Sequence, residues 1–330
     1  MISRVVAPLR GFRRRSLARV AAVVAAAFVV RGACTHSFCS PEISRAPGPL
    51  PLGDGDADGD GIPDALEDEL AARFAPIVLL HRDDAHRPAS IPWLLARANV
   101  FERRDQDTAV AAVADFAITG KPRIPEPVRS GSSNPQDWVA YTHVYPRSDG
   151  GTNIQYWFFY PFNDGPLLFD HDVDWEHLTV RLDASGAPTG VDFARHEDDH
   201  PGVFRPWHAV RREGDHPIAL SARGTHATGG SRDDLAWFEQ AADCPELERC
   251  DHPVWRTWLG GGLENIGERS APLRHHEALL FERRWGNIGI VPGTSAPHGP
   301  LFHRGFCVDG FSSCLEADGA ARTARAAIRP

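Results

Sequence analysis

Apolar residues in this chain fall in short runs separated by Gly, Pro, Asn and Asp, at Ile77–Leu80, Val139–Tyr145, Ile154–Tyr160, Leu178–Leu182 and Ile218–Ala222. Runs of this length bounded by turn formers predict strands, and their rhythm predicts a mainly β protein built as an antiparallel β-sandwich. Helical spacing appears at Ala65–Phe74, Val110–Ala117 and Leu235–Ala242, so a few short flanking helices are expected. Ser40–Gly53 is rich in Pro and Gly and reads as a linker, and the Ala- and Arg-rich end reads as a frayed tail. The expected order is a leader over 1–33, a linker over 34–53, an acidic loop with a short helix over 54–74, a sandwich domain over 75–315 and a tail over 316–330.

The run Leu178-Thr-Val-Arg-Leu182 alternates as a half-buried strand does, so its core-facing side is set by Leu178, Val180 and Leu182. Stepping back by twos places Glu176 and Asp174 on that same face, inside Asp170-His-Asp-Val-Asp-Trp-Glu-His177, where six of eight side chains are ionisable. A buried carboxylate costs several kcal/mol unless something compensates it, and a divalent cation is one such compensation. The preceding strand pattern, Ile154 to Asp164, ends seven residues before His171 and supplies a fourth donor. The candidate central site is therefore Asp164, His171, Asp174 and Glu176. Three carboxylates and one imidazole suit calcium, magnesium or manganese better than zinc, which takes more His or Cys. The competing reading is a salt-bridge network at a strand end, with Arg195 or Arg223. His226, after a predicted strand and Gly224, is placed to reach the cavity. Glu176 and His226 are the candidate bases should the site activate water.

A second acidic cluster precedes the domain. Asp56, Asp58, Asp60, Asp64 and Glu67 occupy positions one, three, five, nine and twelve of a loop with Gly61 at six. That is the spacing by which a loop wraps calcium. The run D-x-D-G-D-G-I-P-D-x-x-E is similar to the calcium repeats of thrombospondin type 3. A single copy implies a stabilising calcium clip at the domain entrance.

Composition narrows the class of partner. Net charge is -9 without an acidic tail, which makes duplex nucleic acid an unsuitable partner. Arg10, Arg13, Arg14, Arg15 and Arg19 lead into an apolar run from Val20 to Val30, the layout of an export signal; an uncleaved N-terminal anchor is the alternative. Arg14-Arg15-Ser-Leu17 loosely resembles a twin-arginine signal, and Cys34 offers lipidation as an alternative to simple cleavage. Six cysteines form three close pairs, and export makes Cys244–Cys250 and Cys307–Cys314 the expected disulfide clips.

Phe74-Ala-Pro76, Arg87-Pro-Ala-Ser-Ile-Pro-Trp-Leu-Leu95, Gln155-Tyr-Trp-Phe-Phe-Tyr-Pro161 and the D-W-E-H core together resemble the Vps-sixty-two-related family, named from vacuolar protein sorting. Ser221–His226, Asn265–Gly267, Arg284–Gly286 and Ser295–Pro300 continue the likeness over roughly 74–302. A more distant resemblance links the chain to the necrosis- and ethylene-inducing-peptide-like proteins. Those proteins carry a strand ending in Pro-x-Asp and then G-H-R-H-D-W-E. Their motif maps onto His171, Asp174, Glu176 and Asp164, with Asn163 as a rival to Asp164. This resemblance implies a divalent cation in a surface cavity of a β-sandwich that docks sugar head groups of membrane lipids. The chain departs from it at Val173, in place of the second His, and at Asp170, in place of the leading Gly.

The function expected from the sequence is that of an exported, monomeric, cation-binding β-sandwich. It would bind a glycan or lipid head group, with a membrane surface as one setting. The alternative is a metal-dependent hydrolase acting through the same Asp, His and Glu side chains.

Overall fold

The computed structural model describes residues 55–98, 124–166, 169–195, 202–236, 240–269, 271–273, 277–281, 284–286 and 295–303, all within the unit Cys39–Pro330. The expected leader, linker, helix at Val110–Ala117, pair Cys307–Cys314 and tail lie outside the described residues.

The acidic loop feeds helix α1, Asp64–Arg73, with Asp64 and Glu67 in its first turn and Arg73 in its last, charges that complement the helix dipole. Strand β1, Ile77–Leu79, follows. Helix α2, Ile91–Arg97, is capped by Ser90, whose hydroxyl accepts the Trp93 N–H at 3.2 Å, and carries Pro92 in its first turn. Helix α3, Glu126–Arg129, is a single turn. The remaining strands are β2 Ala140–Pro146, β3 Thr152–Asn163, β4 His171–Leu182, β5 Pro188–Phe193, β6 Val203–Pro206, β7 Arg212–Glu213, β8 His216–Ser221, β9 Thr228–Gly229, β10 Val254–Arg256, β11 Leu263–Asn265, β12 Gly267–Glu268 and β13 Ala271–Pro272.

Two main sheets form, and a β12–β13 ribbon stands beside them. One sheet has six strands in the order β11-β2-β3-β4-β5-β6. The other has five, β10-β1-β8-β7 with β9 also paired to β8. Most pairings are antiparallel as expected, but β1 runs parallel to β8 and β11 parallel to β2, so the sheets are mixed. The two sheets face one another across a core made by Tyr156, Phe158, Leu178 and Val180 on one side and Val78, Ala219 and Trp255 on the other. This is the sandwich layering.

Each sheet is also covered on its outer side. Trp157, Phe159, Val173 and Trp175 pack beneath α2 and the later segments that bring Leu279, Trp285 and Leu301. The Tyr141 hydroxyl fixes α2 to this face by accepting the Ile91 N–H at 2.7 Å. Ile77, Leu79, Ile218 and Leu220 pack against Ala227, Leu235 and the Cys244–Cys250 region. As a result every residue of β4 is buried, and every residue of β3 after Thr152. The apolar, aromatic reading of β3 follows from that double coverage: a strand walled on both faces has no solvent side to alternate toward.

The helix expected over Leu235–Ala242 does not appear at its described positions. Leu235 and Ala236 lie in a turn, and Ala241 bridges to Ala222. The Asp234 carboxylate is held there by Arg205 at 2.6 Å and by the Gly230 N–H at 2.9 Å, which fixes the turn and leads the chain away from a helical path. No helix among the described residues is long and apolar enough to cross a membrane.

Candidate functional site

The alternation read from Leu178–Leu182 holds through the D-W-E motif. Asp174 lies opposite Tyr160 and Glu176 opposite Phe158 across the β3–β4 ladder, so both carboxylates point between the sheets. They meet a turn from the other sheet. After β8 the chain reverses through Gly224, at φ +79°, and His226, at φ +54°, with the His226 N–H bonded to the Ala222 carbonyl at 3.0 Å. That turn drives the His226 ring into the core, where it stacks on Tyr160 with centroids 3.8 Å apart and an interplanar angle of 7°.

His226 stands between two carboxylates. Its Nδ1 is 2.9 Å from Asp174 Oδ2, and its Nε2 is 3.7 Å from Asp84 Oδ2. Asp84 comes from the loop after β1 and accepts the Gly224 N–H at 2.8 Å, while Glu176 accepts the Thr228 N–H at 3.2 Å. All four ionisable side chains are buried. Burial works against the imidazolium, but the Asp174 hydrogen bond and the charges of Asp84, Asp174 and Glu176 overcome it and raise the His226 pKa. Burial likewise works against the Asp84 carboxylate. Its bonds to His86 and the Gly224 N–H, together with the His226 charge, leave its pKa below the ordinary value. Glu176 and His226, the two candidate bases, are thus both occupied by hydrogen bonds in the core.

Three non-glycine residues among those described have positive φ: Val173, Arg195 and His226. Each borders this cluster. Val173 sits inside the motif, Arg195 donates its N–H to Thr228 at 3.0 Å, and His226 is the central ring. A β-branched residue at φ +59° is costly, and such strain persists only where the surroundings impose it.

The four residues expected from the sequence do not meet at one point in this conformation. Asp174 and Glu176 join Asp84 and His226. Asp164 is exposed, though its backbone N–H bonds the carbonyl of Gly224 at 2.9 Å, the same glycine whose N–H bonds Asp84. The His171 Nδ1 is 2.8 Å from the Val173 carbonyl, and Asn163 donates to the Phe169 carbonyl at 2.7 Å. Asp84 was not singled out in the sequence. Its available signal was the charged run Arg82-Asp-Asp84 directly after an apolar strand.

The acidic loop has the more compact arrangement of donors. Among the described residues, ligand atoms of Asp58, Asp60 and Glu67 approach within 4.8 Å of one another, as do those of Asp56, Asp58 and Asp64. These groups could hold a metal ion. The loop is shaped by its own acids: Asp56 accepts the N–H groups of Gly59 at 2.6 Å and Gly61 at 3.1 Å, and Asp64 accepts that of Ala57 at 2.8 Å. Burial pushes the pKa of Asp58 up to about 6, of Asp60 to about 8 and of Glu67 to about 9, with neighbouring carboxylates adding to the rise. Asp60 Oδ2 and Glu67 Oε1 are buried without a hydrogen-bond partner. A carboxylate set so raised and incompletely bonded fits a cation that would supply the missing partner. A third group, Cys244, Asp251 and His252, is committed otherwise, because Cys244 forms a disulfide with Cys250 across a Cα–Cα distance of 5.2 Å.

No family model matches the chain. It is 26% identical over 206 residues to vacuolar protein sorting-associated protein 62 of Saccharomyces cerevisiae (strain ATCC 204508 / S288c), covering 49% of this chain and 43% of that protein. It is 26% identical over 216 residues to the putative vacuolar protein sorting-associated protein TDA6 of the same yeast, with the same coverage. The chain spans less than half the length of these curated relatives. Both similarities support the Vps-sixty-two-related resemblance seen in the motifs. Among solved structures it is similar to NLPPya in complex with glucosamine, at 16% identity and a TM-score of 0.38 over 76% of this chain and 88% of that one. It is also similar to Necrosis and Ethylene inducing Protein 2 from the causal agent of cocoa's Witches Broom disease, at 16% identity and a TM-score of 0.34, over 59% and 72%. At these TM-scores nothing about the site or its ligand follows from the likeness.

Proposed function

We propose that this chain is an exported, divalent-cation-binding β-sandwich that docks a glycan or lipid head group at the end of β4. The observation that carries the reading is the convergence at that strand end of three buried carboxylates, Asp84, Asp174 and Glu176, brought from both sheets around the His226 ring. Carboxylates gathered in this way are the oxygen donors that a hard divalent cation takes. Strain at Val173, Arg195 and His226, all bordering the same cluster, supports a functional rather than a purely packing role. In the proposal Asp174 and Glu176 are the core ligands, and Asp164 and His171, at the same end of the β3–β4 pair, complete the site from its rim. The acidic loop takes calcium as a separate, stabilising ion. Export is supported by the leader pattern and agrees with the Cys244–Cys250 disulfide.

Metal content is the test. Elemental analysis and calorimetry with calcium, magnesium and manganese are run on the wild type and on an Asp174→Asn, Glu176→Gln double variant. Loss of one equivalent of metal, with the loop's equivalent retained, is expected. Glycan-panel and liposome binding should then require the cation and vanish in the double variant. Unchanged metal content would remove the central ion from the proposal. Turnover on phosphodiester or glycoside panels would replace docking with hydrolysis through the same residues.

A further inference from the structure

The loop's cation reading leaves one buried group unexplained. Glu268, in β12, lies some two hundred positions from the loop in sequence, yet its backbone N–H donates to Asp58 Oδ2 at 3.1 Å, across a sequence separation of 210. Next to it, Gly267 sits at φ +65°, and a Cβ there would lie 3.1 Å from the same Asp58 oxygen, so the backbone is pressed against the acidic cluster. Two residues before Gly267, the Asn265 side chain donates to Glu67 Oε2 at 2.9 Å. The Glu268 carboxylate is buried with them. Its Oε1 is 3.0 Å from His143 Nε2, and its Oε2 is buried with no hydrogen-bond partner. Its charge acts on both Asp58 and Asp60.

Three carboxylate oxygens in this neighbourhood therefore lack partners: Asp60 Oδ2, Glu67 Oε1 and Glu268 Oε2. A buried carboxylate oxygen left in that state costs more than one that is bonded. Placing three, two from the loop and one from β12, in one neighbourhood is unfavourable unless protons or a shared cation neutralise them. His143 satisfies one oxygen of Glu268, and its charge also acts on Asp58.

We propose that Glu268 is a ligand of the loop's divalent cation, so that the ion joins the N-terminal loop to the edge of the six-stranded sheet. The proposal rests on the cation reading of Asp58, Asp60 and Glu67. It changes what the loop is. A loop closed by its own residues is a self-contained clip, whereas one completed by Glu268 holds the Asn265–Glu268 corner in place. That corner leads directly out of β11, which pairs with β2. Binding of the ion would then order the sheet edge as well as the loop.

The experiment is calcium titration by calorimetry of the chelator-stripped full chain, for wild type, Glu67→Gln, Glu268→Gln and Glu268→Asp. Glu67→Gln should weaken the loop site by about tenfold or more, since calcium affinity follows ligand charge count. Glu268→Gln, which keeps an acceptor toward His143, should weaken it to a similar degree. Glu268→Asp keeps the charge but withdraws it by one methylene, and should fall between. Hydrogen exchange should show the amides of Ile266 to Glu268 slowing on calcium addition in the wild type and not in Glu268→Gln. Weakening by Glu67→Gln but by neither Glu268 variant would overturn the role of Glu268 and leave the loop reading intact. No weakening by Glu67→Gln would overturn the loop reading itself.

Discussion

His226 Nδ1 lies 2.9 Å from Asp174 Oδ2, and this contact joins the two sheets through a polar pair at the edge of the apolar core between them. The imidazole is held between Asp174 and Asp84 by a turn that places the ring at positive φ.

Removing that ring leaves both carboxylates buried without their shared partner. His226→Ala is expected to cost about 3–5 kcal/mol of folding stability, read as a lowered urea midpoint. A double-mutant cycle with Asp174→Asn should recover part of that loss, because the second change removes one of the stranded charges. A cost below about 1 kcal/mol for His226→Ala would show that the pair contributes little.

A pair of histidines sets a pH dependence. His81 and His252 lie with ring centroids 4.9 Å apart. Each uses Nδ1 as an acceptor, His81 from the Asp83 N–H at 3.2 Å and His252 from the Arg82 N–H at 3.0 Å. Burial lowers the pKa of both, and the charge of His81 lowers His252 further. With folded values below the unfolded one, the native state refuses protons that the unfolded chain accepts. The stabilisation is therefore present above the ordinary imidazole value of about 6.5 and lost as pH falls through it. Urea midpoints should drop between about pH 7.5 and 5. His252→Asn, whose carbonyl still accepts the Arg82 N–H, should flatten that drop; an unchanged slope would assign the acid sensitivity elsewhere.

Gly224 tests how tightly the His226 turn is seated. It lies at φ +79°, and a Cβ would stand 2.5 Å from the Asp164 carbonyl oxygen. Gly214 has a similar φ of +61° but open space around it. Gly214→Ala should cost about 1 kcal/mol from backbone conformation alone, and Gly224→Ala at least about 1 kcal/mol more. Equal losses in thermal or urea unfolding would mean that the turn moves freely away from Asp164.

The sandwich and the inward aim of Asp174 and Glu176 were legible because alternation along a strand is a local property, readable from Leu178, Val180 and Leu182. The helix α1 and the spacing of the acidic loop were local too. Partners were not. Nothing in Ile77–Leu79 announces a parallel neighbour at Ile218–Leu220. Asp84 and Glu268 reach their clusters only because distant segments are brought together, over separations that no motif spans. The run Leu235–Ala242 misled because a short apolar stretch fits a helix as well as a turn joined to an extended segment, and here the bonds of Asp234 decide.

The double coverage of the six-stranded sheet bears on how this chain can vary. Residues 153–163 and 171–182 contain no position that faces water. In most antiparallel sheets every second residue is free to drift. A saturation scan of β3 and β4 should instead return unbroken bands of intolerance, without the two-residue stripe of an ordinary strand. Diversification in such a molecule is pushed outward, into the turns that frame the ends of these strands.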